Sequence, residues 1–111
     1  MFLIPRKISY YTSRNLKMPF KEWLDGLDST IKDLIYERLE KVKIGYFGDY
    51  KNLGDGVFEL RIHFGPGYRI YYGISGRDII LLLCGGDKDG QNKDIKKAKF
   101  LWEDYQNAKK D

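Results

Sequence analysis

GVFELRIHFGPGYRIYYGISGRDIILLLCGGDK, residues 56–88, reads as three antiparallel strands. Phe58, Leu60, Ile62 and Phe64 alternate with Val57, Glu59, Arg61 and His63, so the two sets point to opposite sheet faces. Beyond Gly65, Pro66 and Gly67 the alternation resumes: Tyr68, Ile70, Tyr72 and Ile74 are apolar, with Arg69 and Tyr71 between them. A three-residue Gly-Pro-Gly loop keeps like with like, setting Phe64 opposite Tyr68, His63 opposite Arg69 and Arg61 opposite Tyr71. A two-residue turn on Pro66-Gly67 would pair Phe64 with Arg69 and put a charge in the core. One face then holds the core. The other gathers Glu59, Arg61, His63, Arg69 and Tyr71, a set suited to phosphate. Ile79 to Cys84 is apolar on both faces, which predicts a central strand covered on both sides, ended by Gly85 and Gly86.

Working outward, residues 6–12 predict a first strand. Pro19 suits the first position of a helix, and Phe20, Trp23, Leu24 and Leu27 follow at helical spacing. Asp28 predicts the N-cap of a second helix, with Ile31, Leu34, Ile35, Leu39 and Val42 on its apolar face and Gly45 at its end. The two helices read as an antiparallel hairpin. Tyr46 to Asp55, rich in Gly, Asp and Asn, reads as a loop. Asp87 to Lys93 reads as a second polar loop, before a final helix from about Asp94 to Ala108. The predicted order is β-α-α-β-β-β-α. This is an α+β fold, with a helix hairpin packed on a small twisted antiparallel sheet and the last helix at its edge.

Composition narrows the function. The chain has 111 residues, 42% of them hydrophobic and 32% charged, with a formal net charge of +4. This length predicts one domain, and the charge favours an acidic partner. The single cysteine, Cys84, excludes an internal disulfide and reads as a buried, inert thiol. One cysteine and one histidine argue against a His/Cys metal site. The opening MFLIPRKISYY lacks an apolar core long enough for a signal peptide, and no apolar run is long enough for a membrane span. A cytoplasmic protein without membrane partners is expected.

Three segments, LGDGVFELRIHFGPGYRIYYG at 53–73, LLLCGGDKDGQNKDI at 81–95 and AKFLWEDY at 98–105, resemble the RelE/ParE superfamily of bacterial toxins. Within it they are most similar to the phage-derived, HigB-like "addiction module killer protein" group. The resemblance covers nearly the whole chain and implies one toxin domain over residues 1–111. It implies a type II toxin–antitoxin module and an mRNA interferase, that is, a ribosome-dependent endoribonuclease that cleaves translated mRNA without metal or other cofactor. The ribose 2′-OH would attack the adjacent phosphate, and basic groups on the concave sheet face would stabilise the extra charge. Implied partners are the ribosome, mRNA and a helix-turn-helix, HigA-like antitoxin. The same fold hosts ParE-like, non-enzymatic poisons of DNA gyrase, and an inactive RNA- or protein-binding module is a third reading.

The resemblance places the arginine of the family's GYR segment on Arg69, a basic strand residue on Arg61 and the basic loop residue on Lys88. The tyrosine that opens the last helix of RelE falls near Asp94 here, and another basic strand position becomes Glu59. Proton transfer is therefore assigned to His63 or Glu59. Imidazole titrates near neutrality, whereas Glu59 is also a natural counter-ion for Arg61. Arg69 is expected to be removable without unfolding the protein. Tyr71 is a candidate to stack on a base or to pack beneath the last helix. Gln91 flanks the site and, with Asp94, suits a helix cap; Lys96 and Lys97 are candidate RNA contacts or a solvated helix face.

Overall fold

The computed structural model describes residues 3–110; the opening of MFLIPRKISYY at Met1 and Phe2 lies outside them. The elements are β1 (Lys7–Tyr10), α1 (Pro19–Asp25), α2 (Ser29–Lys43), β2 (Tyr50–Gly54), β3 (Val57–Ile62), β4 (Tyr68–Ser75), β5 (Ile79–Asp87), a 3₁₀ turn (Lys88–Gly90) and α3 (Gln91–Lys109). The α+β class stands. The sheet has five strands in the order β1-β5-β4-β3-β2. It is mixed, because β1 joins β5 in parallel while the other pairs are antiparallel.

The expected loop before β3 contains β2, whose Tyr50, Lys51 and Asn52 pair with Leu60, Glu59 and Phe58. Gly48 and Asp49 precede it, Asn52 lies within it, and in the turn that follows Gly54, Asp55 and Gly56 all have positive φ. α2 ends as its sequence predicts. Gly45 has φ +94°, its N–H donates to Val42 O, and the Tyr46 N–H reaches back to Lys41 O.

α1 and α2 cover one sheet face. Phe20, Leu24, Ile31, Ile35, Leu39 and Val42 pack on Leu60, Ile62, Ile70, Tyr72, Ile80 and Leu82. α3 does not sit at the sheet edge. It covers the second face, where Ala98, Leu101 and Trp102 pack on Val57, Tyr71, Leu81, Leu83 and Cys84. β5 is therefore central and covered on both sides, as its apolar run predicts. Among the described residues no helix is long and apolar enough to cross a membrane.

The double glycine does not end β5, which runs on to Asp87. The two glycines permit close approach on opposite faces. A Cβ on Gly85 would lie 2.2 Å from the Trp23 ring of α1, and one on Gly86 would lie 2.0 Å from Asp94 Oδ2 of α3. Gly73 in β4 plays the same part under Trp102, with ring carbons 2.3 Å from where a Cβ would stand. Gly73→Ala is expected to destabilise the fold by about 3 kcal/mol through overpacking. Urea midpoints check this, and Gly73→Ala combined with Trp102→Leu is expected to recover part of the loss.

Candidate functional site

The β3–β4 pair carries the candidate groups. β3 stops at Ile62, and the connection closes through hydrogen bonds from Phe64 N–H to Ile62 O and from Gly67 N–H to Phe64 O. His63 and Phe64 therefore lie in the connection, and Phe64, expected in the core, is 46% exposed. The register moves by two residues from the predicted one. Arg61 stands opposite Arg69, and Glu59 stands opposite Tyr71. A shift of two keeps every side chain on its predicted face. It also sets two guanidinium groups across from each other, an unfavourable pairing unless a counter-charge intervenes.

Glu59 is that counter-charge. It is fully buried, and its Oε2 accepts a hydrogen bond from Arg61 Nε at 2.9 Å. Its Oε1 accepts from Gln91 Nε2 at 3.1 Å and lies 3.2 Å from Arg69 Nε. The Arg69 contact is an ion pair without hydrogen-bond alignment, since Arg69 Nε is buried and donates no hydrogen bond. One carboxylate thus meets both arginines through their Nε edges. Among the described residues neither guanidinium makes any other side-chain hydrogen bond, so the terminal nitrogens have no side-chain partner there. The Glu59 hydrogen bond also raises the Arg61 pKa above its ordinary value.

Lys88 approaches from the neighbouring strand end. Asp87 Oδ1 accepts from Asp89 N–H at 3.0 Å and Gly90 N–H at 3.3 Å, winding Lys88–Gly90 into a turn. The Lys88 N–H donates to Gly67 O at 3.0 Å, tying this turn to the Gly-Pro-Gly segment. His63, Arg69 and Lys88, with Phe64 and Pro66, line an open cleft of about 430 Å³. His63 Nε2 contacts Asp49 Oδ2, and this hydrogen bond is the main reason the Asp49 carboxyl is held below its ordinary pKa.

Arg38 and Asp49 escaped the sequence reading. Arg38, on α2, donates to Arg61 O at 2.7 Å, to Asp49 O at 2.7 Å and to Phe47 O from Nε at 3.1 Å and Nη2 at 2.9 Å. It ties the loop bearing Asp49 to the end of β3. Burial lowers its pKa, against a raising effect from Asp49. The signal was its spacing: residue 38 lies three after Ile35 and four before Val42, beside the apolar stripe.

Several expected roles change. Glu59 is buried and paired on both oxygens, which removes it as a general base and leaves it the counter-ion. Tyr71 is fully buried beneath α3, so it offers no face to a base; its hydroxyl has no hydrogen-bond partner, and burial drives its pKa upward. Gln91 donates to Glu59, and neither it nor Asp94 caps α3, whose N-cap is Gly90. Asp94 instead packs over Gly86, and burial raises its pKa. Lys96 and Lys97 are exposed on α3, outside the cleft. Cys84 is buried, and desolvation pushes its thiol up to about 12, consistent with an inert role. Among the described residues no group of three His, Cys, Asp or Glu side chains is placed to hold a metal ion.

This geometry gathers Arg61, Arg69 and Lys88 around one buried carboxylate and an open cleft. Residues 22–103 match the family described as "Phage derived protein Gp49-like (DUF891)". The chain belongs to the Gp49-like family. This is a family of RelE-like toxins, associated with toxin–antitoxin modules. The match spans β2 to β5 and most of α3, and so includes every arginine and lysine of the cleft. A Haemophilus influenzae protein named "Uncharacterized protein" is 46% identical over 85 residues, covering 76% of this chain and 86% of its own length.

Proposed function

We propose that this Gp49-like chain, read as one toxin domain over residues 1–111, is a HigB-like mRNA endonuclease acting on the translating ribosome in the cytoplasm. The observation that carries the proposal is the pair of guanidinium groups joined by one buried carboxylate, with Lys88 across the cleft. A scissile phosphate in the cleft meets the free edge of Arg69 and the Lys88 ammonium, while Arg61 holds a neighbouring phosphate. The ribose 2′-OH attacks the adjacent phosphorus, the P–O5′ bond breaks, the departing 5′-oxygen takes a proton from solvent water, and a 2′,3′-cyclic phosphate and a 5′-hydroxyl result. His63 lines the cleft with Nε2 held by Asp49, and its Nδ1 takes the 2′-OH proton. Arg69 and Lys88 stabilise the added negative charge of the phosphorane. No step requires a cofactor. A helix-turn-helix, HigA-like antitoxin restrains the toxin.

The burial of Glu59 favours a second reading, because it withdraws one proton-transfer group from the cleft. In that reading the basic site only binds, as in a gyrase poison. Mapping transcript 5′ ends after brief induction separates the two. New ends inside translated codons support the nuclease; growth arrest with intact transcripts and gyrase-linked DNA breaks overturns it.

A further inference from the structure

The outward face of α3 is unused by the fold and differs from the cleft. Ala98, Leu101 and Trp102 turn the helix toward the sheet, so Lys93, Lys96, Lys97 and Phe100 point away from it at i, i+3, i+4 and i+7. Phe100 is 68% exposed, the largest exposure of any aromatic ring among the described residues. Lys99, on the flank, is engaged by Asp55 at 3.3 Å, whereas Lys93, Lys96 and Lys97 make no ion pair among the described residues. We infer that this face is a docking platform for single-stranded RNA, in which Phe100 stacks on an unpaired base and Lys93, Lys96 and Lys97 hold the flanking phosphates.

Three observations choose RNA over a protein partner. Phe100 is isolated: its neighbours one turn away are Lys96, Lys97, Glu103 and Asp104, so there is no contiguous apolar patch of the kind a protein interface core requires. A single ring among lysines is what base stacking with phosphate contact requires, because every base has a flat face and every nucleotide a charge. The ring also borders a recess of about 550 Å³, lined by Lys96, Lys99 and Trp102 and by the carboxylates of Asp55 and Glu103, with room beside the ring for a base. The charge gives the strand a direction. Glu103 ends the basic run on the C-terminal side, while Lys93 leads back to the turn that carries Lys88. From Lys93 to Phe100 the helix rises roughly 10 Å. The platform thus begins three residues after the 3₁₀ turn that carries Lys88.

The inference rests on the RNA reading of the cleft, and its test keeps the two apart. Binding of a fluorescent, unstructured 15-nucleotide RNA is measured by anisotropy as a function of salt, beside cleavage of translated mRNA. Phe100→Ala is expected to weaken binding roughly 5- to 100-fold with the salt slope unchanged. Phe100→Trp is expected to retain it. Lys96→Ala with Lys97→Ala is expected to weaken binding and reduce the slope by about 1.4, at about 0.7 per phosphate contact. RNA affinity unaffected by Phe100→Ala overturns the platform, and so does loss of an acidic peptide's binding in that variant with RNA binding intact. A wild-type protein that binds through Phe100 but never cleaves overturns the nuclease and leaves the platform standing.

Discussion

Replacing Arg69 by alanine is expected to lower mRNA cleavage by roughly 10²- to 10³-fold, the usual consequence of removing one positioned charge from a phosphoryl-type transition state. Arg69 Nε is ion-paired with Glu59 at 3.2 Å, and the side chain lines the cleft shared with His63 and Lys88. Arg69→Lys keeps the charge but loses the planar fork, so it is expected to recover only a small part of the rate. Arg69 is not a free surface residue, however. Its side chain is 13% exposed and its loss removes one partner of a buried carboxylate, so the alanine variant is also expected to lose stability. Arg69 is still expected to be removable without unfolding the protein, at a cost in stability. The measurement is therefore a cleavage rate taken well below the melting temperature of each variant. Full activity in a folded Arg69→Ala protein would remove Arg69 from the proposed mechanism.

Glu59→Gln is expected to cost about 3–5 kcal/mol, the penalty for breaking a buried ion pair from one side. Two effects add. The carboxylate leaves Arg61 and Arg69 without their counter-charge, and the register sets those two cations directly across the strand pair. For a domain of this size the melting temperature should fall by roughly 10–20 °C. Removing one of the like charges as well, in Glu59→Gln with Arg61→Ala, is expected to return part of the loss. That recovery distinguishes repulsion from a mere change of side-chain shape. A Glu59→Gln variant as stable as the wild type would show that Glu59 does not hold the arginines together.

Much of this architecture was legible in the chain. The period-two alternation from Phe58 to Ile74 assigned Arg61, Arg69 and Glu59 to one face, and all three are there. The helical spacing of residues 20–42 marked both helices and their stop at Gly45. What misled was composition. The Gly, Asp and Asn residues near Asp55 hid an edge strand, because an exposed edge strand need not show an apolar row. The polar run from Asp87 to Lys93 hid the 3₁₀ turn and the first turn of α3, since helix starts are polar too. Gly85 and Gly86 looked like a strand end, although they serve close approach by Trp23 and Asp94, which belong to distant segments.

The sequence by itself determined which side chains share a face, since alternation along a strand is local and survives any even shift in register. Only the tertiary structure decided which of them meet. The connection closing at Gly67 moved the register by two and brought Arg61 opposite Arg69. Docking of α3 over the second face buried Tyr71 and delivered Gln91 to Glu59. A carboxylate that reads as a base on an open face thereby became the fixed counter-ion of two arginines. Desolvation and pairing depend on what the rest of the chain lays over a residue, and no local pattern encodes that.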